Sequence, residues 1–400
     1  MMRRVYMDAN ATTPLLPEIL EAMQPYFVER FGNASSVHSF GQQARGAVEQ
    51  ARIKVAALLH CRPAEIVFTS GGTESDNLAL FGATKPGDHV ITTTIEHHAV
   101  LHAAEQLARS GREVTFVPAD DNGVVDPEDV RRALRPSTRL ISVMMANNET
   151  GAIQPVAAIG AIAAESGVQF HTDAVQAAGK LPMDVAKIGC NLLSISGHKI
   201  HAPQGTGALF VRKDTKIEPL MYGGTHERQR RAGTENLAGI VGLGKAAEIA
   251  ARSLEDGSTQ QIAALRDRLE REILARVTDA GVHSGQVMRV PNTTNLWFDH
   301  QEGEALVISL DLKGLAVSGG SACAAGASEP SHVLTAMRVP ADRARASLRF
   351  SLSKLTTAED VDYAVEIVPQ AVAKLRELSP FYHKNDTASA DAGRVATAQI

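Results

Sequence analysis

Cysteine is scarce in this chain. Its three residues, Cys61, Cys190 and Cys323, are odd in number and far apart, which excludes a disulfide framework and the paired spacing of a zinc site. Aromatic residues make up only 4% of the sequence, with a single tryptophan, and that disfavours the stacking surfaces of nucleic-acid binders. Positive charge is not in excess. Lys and Arg number 40 against 45 Asp and Glu, a formal net charge of −5, so neither nucleic acid nor an anionic membrane is an expected partner. No apolar run reaches the roughly 18 to 20 residues of a membrane span. The start, MMRRVYMDANATTP, has two arginines but no apolar core behind them, unlike a secretory leader. The expectation is a cytoplasmic protein with reduced thiols.

What is present is length and alternation. Four hundred residues, 44% hydrophobic and 21% charged, exceed what one core usually serves, so two domains are expected. Glu18 to Phe27, opened by Pro17, reads as a short helix, and Gln42 to Leu59 as a longer one with Ala, Val and Leu on one stripe. EIVFTS, HVITTT, EVTFVPA, LISVMMA and VQFHTDA read as strands. The helical segments between them start at Ser75 or cover Ala99 to Ser110, PEDVRRALR and Val156 to Ser166. This alternation predicts an α/β fold, a mostly parallel sheet flanked by helices. Long helical stretches from Thr234 to Val277 hold a domain boundary near residue 260. Beyond it a smaller α+β unit is expected, with strands in NTTNLWF, LAVSGG and ASLRFSLS and helices at Glu304 to Leu310 and Ala358 to Leu378. Pro369 should kink or break the last helix. The tail, residues 386–400, is polar and aperiodic and reads as disordered.

Ligands of open α/β sheets bind beyond the C-terminal ends of the strands, and polar residues collect there. They are Gly72 and Thr73, Glu96 and His97, Asn147 and Asn148, Asp173 and Gln176, then Ser196, His198 and Lys199. Strand, Gly-Gly-Thr, helix suits a phosphate, although an ordinary capped turn has the same pattern. Lys199 ends an apolar run, where partial desolvation favours a nucleophilic amine; it can equally be a surface lysine in a turn. Asp173 can partner a pyridinium nitrogen or cap the next helix. A phosphate cradle, a strand-end aspartate and an apolar-flanked lysine are together the parts of a pyridoxal phosphate site. Cys323 lies in a run of small residues from Val317 to Ser328. A thiol in such a mobile loop is exposed and able to travel, and an incidental thiol in a flexible loop reads the same way. Cys61 and Cys190 read as packing residues.

The segments DANATTP, GNASSVHSFG, TSGGTESDN, TIEHHAV, NNETG, HTDAVQ, SGHKIHAPQGTGAL, GGTHERQRRAGTEN, SGGSACAAGASEPSHVLTAM and LRFSLS run in order from residue 8 to about 353. In them the chain resembles the cysteine desulfurases of the NifS/IscS type, within the class V aminotransferase superfamily. The resemblance implies pyridoxal-phosphate fold type I. Residues 15–260 would form the large cofactor-binding domain, with 1–14 and 261–385 forming a smaller one that carries the cysteine loop. It further implies pyridoxal 5'-phosphate held as a Schiff base on Lys199, which also moves the Cα proton. His97 would stack on the ring and aid proton transfer, Asp173 would pair with the ring nitrogen, and Gln176 would bond the phenolic oxygen. Gly72, Thr73, Ser196 and His198 would hold the phosphate, with Gly197 and Asn148 in the cofactor set and Thr234 reaching across from the second subunit of a homodimer. Asn148 and Arg349 would bind the carboxylate of L-cysteine. Cys323 would accept sulfur as a persulfide, pass it to an iron–sulfur scaffold or other acceptor protein, and serve as a transient iron–sulfur ligand shared with that scaffold. Selenocysteine lyases and aminotransferases share the lysine and aspartate; the aminotransferases have no use for a mobile thiol. In this family a glycine often stands where this chain has Ala202, three residues from Lys199, so the local turn is expected to differ.

Overall fold

The computed structural model describes residues 3–319 and 330–378. Residues 386–400, expected to be disordered, lie outside them. The chain opens with a short strand β1 (Val5–Tyr6) and then builds a seven-stranded sheet. Its strands are β2 (Ile66–Thr69), β3 (His89–Thr93), β4 (Glu113–Val117), β5 (Thr138–Ser142), β6 (Gln169–Asp173), β7 (Leu192–Ser196) and β8 (Gly207–Val211). Their spatial order is β2-β8-β7-β6-β5-β3-β4. Every residue of β2, β3, β7 and β8 is buried, as expected for a sheet covered on both faces. The edge strand β4 instead shows a half-exposed pattern, which blunts an edge that could template further pairing.

The pairings from β4 through β3, β5 and β6 to β7 are parallel, whereas β8 runs antiparallel to both β7 and β2. Two antiparallel steps restore direction, so β2 points the same way as β7. The C-terminal ends of β2, β3, β5, β6 and β7 therefore share one rim. Close approach on that rim is made with glycine: a Cβ on Gly207 would come within 2.6 Å of the Gly71 Cα.

Two adjacent helices, Leu237–Glu255 and Ser258–Leu274, are separated by Gly257, whose φ is 85°. The first buries Leu243, Ala246 and Ala247 in the core of the large sheet, and the second contributes Leu269 and Ile273 to another core. That second core backs an antiparallel sheet of β9 (Ala280–His283), β10 (Thr293–Phe298), β12 (Ser318–Gly319) and β13 (Ser347–Ser351), while β11 (Leu315–Ala316) pairs in parallel with β1. The N-terminal Val5 and Met7 join it. Among the described residues, no helix is long and apolar enough to cross a membrane.

Two local expectations are corrected, and of the kink or break expected at Pro369 the break is excluded. The helix expected from Glu18 to Phe27 is two helices, Pro17–Met23 and Pro25–Val28, because Pro25 has no N–H to continue the first ladder and fits the opening turn of the second. The helix expected to begin at Ser75 begins at Gly72; the low intrinsic propensity of glycine hides a start that tertiary packing fixes. The Ala358–Leu378 helix runs unbroken through Pro369. It buries Val361, Val365, Val368 and Val372, so packing on both sides of the proline outweighs one lost hydrogen bond. The glycine-to-alanine departure at Ala202 is absorbed without a left-handed backbone there, since the positive φ of that turn, 68°, falls on His201.

The segment that carries Thr234 is pinned by a buried ion pair. Arg52 Nη1 and Nη2 each lie 2.8 Å from a Glu227 carboxylate oxygen, and Glu227 Oε2 also accepts from Phe68 N at 2.9 Å. Glu227, Arg228 and Gln229 have φ of 45°, 57° and 67°, a left-handed run that non-glycine residues hold only when their surroundings impose it. Arg52→Met strands a buried carboxylate, a loss on the order of 3–5 kcal/mol. The urea midpoint should drop accordingly at unchanged m value. An unchanged midpoint would show that the pair does not hold the segment.

Candidate active site

A cavity of about 370 Å³ opens on the strand-end rim of the large sheet and is closed on one side by β13 and the N-terminal segment. Its wall includes Gly72, Thr73, His97, Asn148, Asp173 and Gln176. Ser196, His198, Lys199 and Arg349 complete the set of sequence-predicted residues that the fold brings together there. Gly197 does not line it: a Cβ there would meet Thr206 Oγ1 at 2.6 Å, so its small size serves packing. Thr234 is exposed and does not line this cavity. Cys323 lies outside the described residues.

Each side chain is placed by a local device. Gly72 and Thr73 open the Gly72–Gly82 helix directly after β2, so their N–H groups face the cavity unused by the helix. A Cβ on Gly72 would strike Val175 Cγ2 at 2.8 Å, which reserves the position for glycine. Ser196 ends β7 and Gly197–Lys199 is a single 3₁₀ turn. Lys199 Nζ donates to the Asn10 carbonyl at 2.5 Å and the Ala11 carbonyl at 2.7 Å. His97 caps the His98–Arg109 helix with Nδ1 accepting from Ala99 N at 3.1 Å, which leaves the proton of the neutral ring on Nε2. Asp173 Oδ1 accepts from Val175 N at 2.8 Å. Arg349, on β13, donates to Asp8 Oδ1 at 2.8 Å and to the Asn148 carbonyl at 3.0 Å. Its Nε and the Asn148 Oδ1 are buried and unpartnered within the protein, a donor and an acceptor left for a ligand.

The electrostatics follow from burial. Burial and the neighbouring Lys199 push His97 down to about 4, and burial with Lys199 does the same to His198. Burial raises Asp173 to about 6 against the opposing pull of the Val175 N–H and Lys199. Asp76, on the cavity wall, is raised well above the ordinary aspartate value by burial and by Asp173. Beneath them burial lifts Glu96 to about 8. A cation seated against Asp173 would offset that burial and favour its ionised form.

Sequence reasoning missed Asn10, Asp76 and His332 on this wall, and Asp8 behind it as the carboxylate that orients Arg349. Asp8 and Asn10 sit in the quoted DANATTP segment, so the signal was present, but nothing in the sequence showed that the N-terminus crosses to β6 and β13. Among the described residues no group of three or more His, Cys, Asp or Glu side chains could hold a metal ion.

The residues fit pyridoxal phosphate. A helix start with Thr73 and Ser196 suits the phosphate, a buried carboxyl suits the ring nitrogen, a lysine sits beside both, and the unpartnered Arg349 Nε and Asn148 Oδ1 suit a substrate's polar groups. Comparison with known proteins points the same way. Residues 5–364 match the family model described as aminotransferase class-V. The cysteine desulfurase IscS of Dictyoglomus turgidum is 47% identical over 385 residues, covering 95% of this chain and 98% of that protein. The cysteine desulfurase IscS of Methanosarcina thermophila is 49% identical over 386 residues, covering 96% and 95%. A solved structure titled NifS-like protein superposes with a TM-score of 0.87 at 37% identity, over 93% of this chain and 100% of that one.

Glu96 offers a check on this buried charge. Its folded value, about 8, lies above the ordinary glutamate value near 4.3. The bound proton therefore adds stability that is complete below the ordinary value and lost as pH rises through about 8. Relative to Glu96→Gln, the cofactor-free parent should lose up to roughly 1 kcal/mol per pH unit across that window. Urea unfolding at several pH values measures the difference; a constant gap would show Glu96 ionised in the fold.

Proposed function

This chain belongs to the class-V aminotransferase family, among its cysteine desulfurases of the NifS/IscS type, and from that premise we propose that it removes sulfur from L-cysteine. Its family members are pyridoxal-phosphate enzymes. The observation that carries the reading is that Lys199, Asp173, the Gly72–Thr73 helix start and Arg349 line one cavity. The net reaction converts L-cysteine and the Cys323 thiol into L-alanine and a Cys323 persulfide. The substrate C–S bond breaks, an S–S bond forms at Cys323, and the electron pair left on carbon takes up a proton.

The bound cofactor supplies a conjugated ring that accepts the electron pair released at the substrate Cα. The chain does the rest. Arg349, oriented by Asp8 and the Asn148 carbonyl, grips the substrate carboxylate with Asn148 beside it. Lys199, hydrogen-bonded to the carbonyls of Asn10 and Ala11, holds the cofactor and moves the Cα proton. His97 is neutral at working pH because burial and Lys199 disfavour its charged form, so it would stack on the ring and could pass a proton from Nε2. Asp173 would pair with the cofactor's ring nitrogen and Gln176 with its phenolic oxygen, while Gly72, Thr73, Ser196 and His198 would hold the phosphate. The Cys323 thiolate is the sulfur acceptor.

The remaining expectations are part of this proposal. A homodimer would bring Thr234 of each chain to the other's phosphate site; Phe27, Val28 and Phe31 are exposed apolar side chains that self-association would cover. The persulfide goes to an iron–sulfur scaffold or other acceptor protein, and Cys323 shares iron there transiently. A persulfide carrier needs reduced thiols, which suits the cytoplasm. Residues 15–260 act as the cofactor-binding domain, with 1–14 and 261–385 as the smaller one.

Lys199→Ala should abolish alanine formation from cysteine; substantial turnover by that variant would sink the assignment. Cys323→Ser should keep the cofactor's visible absorption yet lose the sulfur adduct seen by mass spectrometry on the Cys323 peptide of the parent. Persulfide on another cysteine, with sulfide release intact, would reassign the acceptor.

A further inference from the structure

Lys180 carries a buried amine that the reaction outlined above does not use. It lies in the turn after β6, behind the cavity wall, and among the described residues it makes no ion pair. Its Nζ donates to Gln176 Oε1 at 2.8 Å and, more distantly, to Asn10 Oδ1 at 3.4 Å. The charged and titratable groups facing it are Lys199, Arg349 and His201. Burial and the two cations push the Lys180 ammonium down to about 7, a poor place for a charge unless the charge has a task.

Gln176 shows what that task is. Its Nε2 donates to the Asn10 carbonyl at 3.1 Å while its Oε1 accepts from Lys180. An ammonium can only donate and a backbone carbonyl can only accept, so the two contacts demand the same amide orientation. A flipped amide would set NH₂ against NH₃⁺ and C=O against C=O. The second Nε2 hydrogen stays available on a side chain that lines the cavity. We propose that Lys180 is a positioning residue that locks Gln176 as a hydrogen-bond donor toward the cavity. This rests on the pyridoxal reading, in which Gln176 faces the phenolic oxygen.

A donor to that oxygen stabilises its anionic form and so opposes protonation nearby. Loss of the lock should therefore raise the pH midpoint of the visible absorption band of the cofactor-loaded, substrate-free enzyme. The test follows that midpoint in the parent, Lys180→Met, Gln176→Ala and the double variant. We expect Lys180→Met to raise the midpoint by about half a pH unit or more, given that one unit is a modest hydrogen-bond energy. The double variant should match Gln176→Ala alone, because Lys180 acts through Gln176. Additive shifts would overturn the proposal, since a bare charge effect of Lys180 survives without Gln176; so would an unmoved midpoint in Lys180→Met. Lys180→Leu, neutral and unable to donate, gives the same readout should the methionine variant not fold, and an unmoved midpoint there overturns the proposal equally. Failure of the parent to form a visible band with pyridoxal phosphate would instead refute the cofactor reading beneath it.

Discussion

The hydrogen bonds of Asn10 tie the molecule together. Its backbone N–H donates to Ser351 Oγ, and its amide nitrogen donates to Thr293 Oγ1 and the Asn148 carbonyl. Its own carbonyl accepts from Lys199 Nζ and Gln176 Nε2, and its side-chain oxygen accepts from Asn292 Nδ2. One buried residue near the N-terminus thus bonds to the antiparallel sheet, to the loop after β5 and to the turns after β6 and β7. Every one of these partners is a strong donor or acceptor that would be costly to bury unsatisfied. This hub, with the direct bond from Arg349 to the Asn148 carbonyl, sets the separation of Arg349 on the small sheet from Lys199 beyond the large one.

The site is otherwise a balance of charges under burial. Arg349 and the buried Lys180 amine stand beside a region where Asp173, Asp76 and Glu96 are pushed toward their protonated forms. His97 and His198 are kept neutral by the same burial and by Lys199. Such a wall favours an anionic ligand with one basic ring nitrogen: the phosphate and a carboxylate meet donors and cations, and the nitrogen meets an acid. The arrangement is directional because the helix start at Gly72 follows β2 and the carboxyl of Asp173 ends β6, with β7 and its Lys199 turn between them on the same rim.

Much of this was legible without coordinates. The alternation of strand and helix patterns marked the parallel strands, and the residues just after them were the cavity residues Gly72, Thr73, His97, Asp173, Gln176, Ser196 and Lys199. That succeeds because a strand buried on both faces announces itself as an apolar run, and the rim begins where the run ends. What failed was local: a helix start hidden by glycine at Gly72 and a break at Pro25.

The sequence by itself determined the chemistry on offer: which side chains stand at strand ends, and that Cys323 sits among small residues. Only the tertiary structure decided which of them meet. The antiparallel β8 that returns β2 to the common rim, the crossing of Asp8 and Asn10 to β13, and the contact of Lys180 with Gln176 join residues far apart in the chain or aim a side chain that spacing alone leaves free. Sequence patterns report periodicity within an element, and these relations are set between elements, by close packing and by the need to satisfy buried polar groups.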